Sequence, residues 1–139
     1  MPISPDRRRR AKGIATIEVL VAVVIILLVG SIAIVSFGGT DRRAVRLEVA
    51  ETALFLQETR MRAQELGRPI EIVVAGSEGL IDAGGRQHSF ARGLTVSPAE
   101  ARITLQPTGQ SDGLNLIFAK GDQSAGVTLD WLTGRVDLQ

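Results

Sequence analysis

The spacing of apolar residues changes twice along this chain, and each change marks a new element. From Ile14 to Phe37, 24 residues carry Glu18 as their only charge. As an α-helix such a run is about 36 Å long, enough to cross a hydrocarbon core of about 30 Å. Its stretch "VAVVIILLV" is rich in β-branched residues and has modest helix propensity in water. In lipid a helix is nonetheless the single-segment solution that satisfies every backbone N–H and C=O.

After a Gly38-Gly39 break, "TDRRAVRLEVAETALFLQETRMRAQELG" resumes a helical period. Val45, Val49, Ala53, Leu56, Ala63 and Leu66 fall along one stripe, with charges largely elsewhere. Thr40 or Asp41 can cap the start of this helix, and Gly67 followed by Pro69 marks its end. The glycine pair fits a kink or a flexible joint equally well.

From Pro69 the period is two. "PIEIVVA" alternates at Ile70, Ile72 and Val74, while "GSEG" and "AGG" are turn clusters. "LTV", "ARITLQ", "LNLIFA", "GVTLDWL" and "GRVDL" are further short strands. No helical stretch separates them, so the sheet is antiparallel and packs on the amphipathic helix. The fold class is α+β rather than α/β. The domain plan is a basic leader over 1–13, an apolar helix over 14–37, an amphipathic helix half over 38–66 and a β domain over 67–139. No internal repeat appears.

Charge sharpens this plan. The whole chain has a formal charge of +1, but residues 1–13 hold five basic side chains and one acidic, a formal +4. The remaining eleven basic and fourteen acidic side chains give the rest of the chain a formal −3. The basic character belongs to the leader, so the overall pI is no argument for nucleic-acid binding. Five basic residues precede the apolar segment, and Arg42, Arg43 and Arg46 follow it, which favours a cytoplasmic N-terminus. The chain has no cysteine, which excludes disulfides, thiolate nucleophiles and cysteine-ligated metals.

Glu18 is the residue that these patterns leave unexplained. A signal peptide carries an apolar region of about 7 to 15 residues. The run here is longer, and a small-x-small site such as Ser31-Ile32-Ala33 would cut inside it. A twin-arginine signal fits the arginine run but not a strongly hydrophobic segment with a glutamate in it. A plain membrane anchor accommodates the length, yet an unpaired charge in the span costs about 2.5–3.5 kcal/mol or more. Cleavage between Gly13 and Ile14 supplies a partner. It creates an α-amino group four residues before Glu18, and an amine of pKa about 8 is largely protonated at neutral pH. Ammonium and carboxylate then neutralise each other, within one subunit or between neighbours.

A basic leader, Gly13, a hydrophobic residue, Glu18 as fifth residue of the cut chain and a long apolar run resemble the class III signal of type IV pilins and type II secretion pseudopilins. The resemblance implies that a prepilin peptidase cuts after Gly13 and methylates the amino group of Ile14, and that Glu18 is the assembly carboxylate. Ile14 and "IATIE" depart from the phenylalanine and the "TLIE" usual in that family. The C-terminal stretch "LIFAKGDQSAGVTLDWLTGRVDL" is similar to the same region of the GspH/FimT group, which includes the H-type minor pseudopilin. Residues 67–110 match only in style. The implied fold is a long N-terminal helix capped by a β-sandwich-like domain.

That resemblance implies a minor pseudopilin, inserted in the bacterial inner membrane as a single pass with its C-terminal domain in the periplasm. The implied partners are other major and minor pseudopilins, the prepilin peptidase and the inner-membrane secretion platform. The alternative is a FimT-like minor type IV pilin that binds DNA during uptake, a group known for a C-terminal "GRxR" pattern. Here Gly134-Arg135-Val136-Asp137 replaces the second arginine by aspartate, which argues against nucleic acid as a partner. A more remote alternative is an anchored periplasmic domain that never polymerises.

Chemistry adds little. His88 is the chain's one histidine, and Ser89 beside it would face the opposite side of a strand, so the two form no catalytic pair. Asp112, Asp122, Asp130 and Asp137 are scattered over separate turns and strands rather than grouped as Ca²⁺ ligands. "GSEGLIDAGG" lacks the Lys-Ser/Thr of a phosphate loop. Phe118 and Trp131 sit in apolar strand patterns and are expected in the core. The sequence points to no enzyme, no cofactor and no metal.

Overall fold

The computed structural model describes the backbone from Arg7 to Gln139 and the side chains of residues 16–29 and 39–139. Helix α1 (Arg7–Leu66) is followed by eight strands. The chain divides into two compact units, Met1–Gly39 and Thr40–Gln139. The boundary falls at the glycine pair, but the helical assignment continues through it. Helix α1 is thus assigned without interruption across Gly38-Gly39. A mid-helix glycine costs only about 0.5–1 kcal/mol relative to alanine, too little to end a long helix by itself. Thr40 and Asp41 consequently lie inside α1 rather than at its start. Asp41 instead forms an ion pair with Lys120, Oδ1 to Nζ 3.3 Å.

In the second unit the helix presents one face to the strands. Val45, Val49, Ala53, Leu56 and Ala63 are buried, as the stripe predicted. Leu66 is not; it stands in the last turn beside Gly67 and is 46% exposed. Phe55, Thr52, Thr59 and Glu48 complete the buried arc. The Thr59 hydroxyl donates to the Phe55 carbonyl at 2.8 Å, so its burial leaves no orphaned hydroxyl.

The strands form two antiparallel sheets. The first has the order β3 (Arg86–Ser89), β2 (Leu80–Ala83), β1 (Ile70–Ala75), β5 (Glu100–Leu105). The second has the order β4 (Thr95–Ser97), β6 (Leu114–Lys120), β7 (Gln123–Leu129), β8 (Val136–Leu138). Alternation fixes which face is inside. Ile70, Ile72 and Val74 of β1 are buried together, and so are Leu114, Leu116 and Phe118 of β6. In register, Ile72 stands opposite both Ala83 and Ile103, and Leu116 opposite Val127. Apolar side chains of both sheets and of α1 join in a single core cluster. Strand β2 is an addition to the sequence reading, which held β3 only as the strand that carries His88. The tetrapeptides "LIDA" and "RQHS" are too short to announce themselves by period alone, and "RQHS" has no apolar residue.

Trp131 leaves the core, contrary to expectation, and is 61% exposed. The period of two runs Val127, Leu129, Trp131, but Asp130 ends the strand between the last two. Its Oδ1 accepts from the Leu132 amide (3.1 Å), the Thr133 amide (2.7 Å) and the Thr133 hydroxyl (2.8 Å). Those bonds close a tight turn and carry Trp131 off the sheet. The amide and hydroxyl of Thr133, helped by the Leu132 amide and the nearby Arg135, hold the Asp130 carboxyl below the usual carboxylate range. The turn returns through Gly134 at φ +65° and seats against Gly109. A Cβ on Gly134 would lie 2.5 Å from the Gly109 carbonyl oxygen, so only glycine fits there.

Candidate functional site

Two candidate sites stand out, and they belong to different units. In the first unit, Gly13 and Ile14 fall outside the residues whose side chains are described. Glu18 is described: it is exposed, and among the described residues it has no ion-pair or hydrogen-bond partner. The apolar side chains around it are also exposed. Ile17 is 66% exposed, Leu20 63% and Ile26 69%. Because residues 17, 19–21 and 23–29 are nearly consecutive, this surface runs right round the helix rather than along one stripe. A helix that is apolar on every side must be covered by lipid or by other helices. Among the described residues no helix is long and apolar enough to cross a membrane. The described part of this segment stops at Val29, short of the full run to Phe37.

The second place is a buried polar cluster that the sequence reading missed. Glu48 lies on the strand-facing side of α1 and is 2% exposed. Rotation of about 100° per residue puts Glu48 and Phe55 on the same flank of the buried stripe. The edge strand β3 brings His88 to that flank, with Nε2 2.8 Å from Glu48 Oε1. The Ala91 amide donates to Glu48 Oε2 at 2.7 Å, and the Thr52 hydroxyl to Oε1 at 3.3 Å. His88 stands between Phe55 and Phe90, with ring centroids 5.8 and 5.9 Å away, and Phe90 packs edge-on against Phe118 at 5.1 Å. Nothing local in "RLEVAET" marks Glu48 as buried. Thr52 apart, its partners arrive about forty residues later, and only the tertiary fold supplies them.

The aspartates stay apart. Asp112 accepts from the Thr104 amide at 3.1 Å, Asp130 is committed to its own turn, and Asp122 is exposed. Asp137 holds Arg135, whose Nε lies 2.9 Å from both carboxylate oxygens and whose Nη2 lies 2.8 Å from Oδ1. The guanidinium at the "GRVD" position is thus occupied by its own neighbour, and the pair raises the Arg135 pKa further.

No protein-family model matches this chain, and no curated protein matches it. Solved structures do. A crystal structure of the type IV minor pilin FimU from Pseudomonas aeruginosa PAO1 aligns with a TM-score of 0.60 at 20% identity, covering 72% of this chain and 91% of that one. A second crystal form of FimU aligns with a TM-score of 0.56 at 18% identity, covering 68% and 91%. At such identities the likeness is one of fold, and it agrees with the element order on the page. An N-terminal helix packed on antiparallel sheets gives this chain the α+β, type IV pilin-like fold.

Proposed function

We propose that this chain is a minor pseudopilin of a type II secretion system, most like the H type. It is inserted in the inner membrane with its leader in the cytoplasm, cut after Gly13 and methylated on Ile14. It then assembles through Glu18 and the apolar helix into a periplasmic pseudopilus with major and minor pseudopilins. The observation that carries this reading is a pilin-like fold joined to a helix whose described apolar surface is exposed all round, with one carboxyl group in it. Such a helix needs neighbours, and that carboxyl needs a cation. The buried cluster of the second unit is built from structural contacts, and the role proposed for the chain is packing and recognition rather than catalysis.

Intact mass tests the processing step. Co-expression with a prepilin peptidase is expected to remove residues 1–13 and add one methyl group to Ile14. Gly13→Ala should leave the chain at full length. A chain that stays whole with the native Gly13, or is cut near Ala33, overturns the pilin route altogether.

A second reading, a DNA-binding minor pilin of a type IV pilus, has one observation in its favour: the structures that align are of a type IV minor pilin. Against its DNA-binding part stand the Arg135–Asp137 pair and the formal −3 of the chain beyond the leader. A gel shift with the Thr40–Gln139 unit is expected to show no salt-sensitive retardation of duplex DNA at micromolar protein. Binding in that range that weakens steeply with salt would favour the second reading.

A further inference from the structure

Glu48, Glu51 and His88 present one potential metal-ligand atom each, all within 4.8 Å of one another. We propose that these three side chains form a zinc site that fastens α1 to the edge strand β3. A Glu48–His88 hydrogen bond alone accounts for two of them. It does not account for Glu51, one helical turn further along, which is exposed and has no hydrogen-bond or ion-pair partner among the described residues.

The surroundings are those of a ligand set rather than of a chance group of charges. Glu48 is fixed from behind by the Ala91 amide and the Thr52 hydroxyl, neither of which is itself a candidate ligand. Such outer bonds orient a ligating carboxylate and set its lone pairs toward the ion. His88 is held between two aromatic rings, with Nε2 turned to Glu48. The competing cation is already engaged: Arg86 pairs with Glu58 at 2.7 Å and lies over the Phe55 ring. Solvent reaches the cluster through a depression of about 300 Å³ lined by Glu51, Phe55, Glu58, Arg86 and His88.

The donor set selects the metal. Calcium takes six to eight oxygens, and magnesium wants an octahedron of them, whereas this site offers one imidazole and two carboxylates. Zinc accepts imidazole nitrogen and carboxylate oxygen in a four-coordinate site, with water in the open position. The ion replaces the proton between His88 and Glu48 and draws Glu51 in from solvent. Binding to the folded chain alone then stabilises it in proportion to the logarithm of free zinc.

The test uses the full chain in detergent micelles. His88 is the only histidine, so its two ring C–H signals report on the site without ambiguity. Titration with zinc chloride is expected to move those signals to saturation at one ion per chain and to raise the melting midpoint. Calcium and magnesium chloride should do neither. Glu51→Gln should weaken zinc binding by at least about tenfold. It should leave melting without metal unchanged, because that side chain is exposed and unpaired. Ring signals that ignore millimolar zinc, or a Glu51→Gln chain that binds zinc as the native one does, would overturn the proposal.

Discussion

Glu48→Ala is expected to destabilise the Thr40–Gln139 unit by about 3 kcal/mol and to lower its melting midpoint by about 10–20 °C. The change removes the acceptor of the Ala91 amide, the partner of His88 Nε2 and the acceptor of the Thr52 hydroxyl at a single stroke. Each buried group left without a partner costs about 1–3 kcal/mol, and the truncated side chain also leaves a cavity against the core. A small domain holds only about 5–15 kcal/mol in total, so this loss is a large part of it. Glu48→Gln is expected to cost much less, about 1 kcal/mol. Its amide oxygen still accepts from Ala91, and its NH₂ can donate to an unprotonated His88 nitrogen. Urea unfolding of the three chains side by side decides the matter. If neither variant shifts the unfolding midpoint, the cluster contributes nothing to stability. If glutamine costs as much as alanine, the negative charge rather than the hydrogen-bond geometry is what the site requires.

The same cluster shows where sequence patterns stop being informative. The helix stripe was legible because burial repeats with the helical period, and Val45, Val49, Ala53, Leu56 and Ala63 obey it. The β domain was legible because β1, β5, β6 and β7 are long enough for alternation to show. Glu48 breaks the same rule that exposed the stripe, since a charged residue in the buried arc looks like one on the solvent face until its partner is known. Its partner sits in "RQHS", an edge strand whose residues face solvent on most sides and carry no apolar alternation. Trp131 failed for a different reason. Its period was correct, but the side chain of Asp130 closed a turn that the alternation does not register. The glycine pair, open in the sequence between a kink and a joint, lies within the helical assignment of α1, because propensity is a weak local preference. Local pattern therefore gave the elements, while long-range polar partners and side-chain-capped turns had to come from the fold.

Glu18→Ala is expected to separate processing from assembly: the leader is still removed, but incorporation into a fibre falls by about tenfold or more. A carboxylate costs about 2.5–3.5 kcal/mol at the centre of an apolar span, an upper figure for Glu18, the fifth residue of the run. Cleavage places an ammonium group at Ile14, one helical turn away, or brings in that of a neighbouring chain. At about 5 Å and an effective dielectric of about 20, their attraction is worth about 3 kcal/mol, close to the cost of the charge. A processed subunit whose carboxylate meets a neighbour's amine therefore gains from assembly what an unpaired one lacks, and about 1.4 kcal/mol of that difference is already tenfold in the equilibrium. Alanine removes the cost and the attraction together, so it leaves the helix comfortable in lipid and indifferent to its neighbours. The measurement is the fraction of chain recovered with sheared fibres, or crosslinked to the major subunit, in cells that carry the whole assembly system. Glu18→Gln distinguishes charge from hydrogen bonding, because an amide keeps the latter and loses the former. If Glu18→Ala enters fibres as the native chain does, the carboxylate is not the assembly group, and the exposed apolar surface alone would have to drive packing.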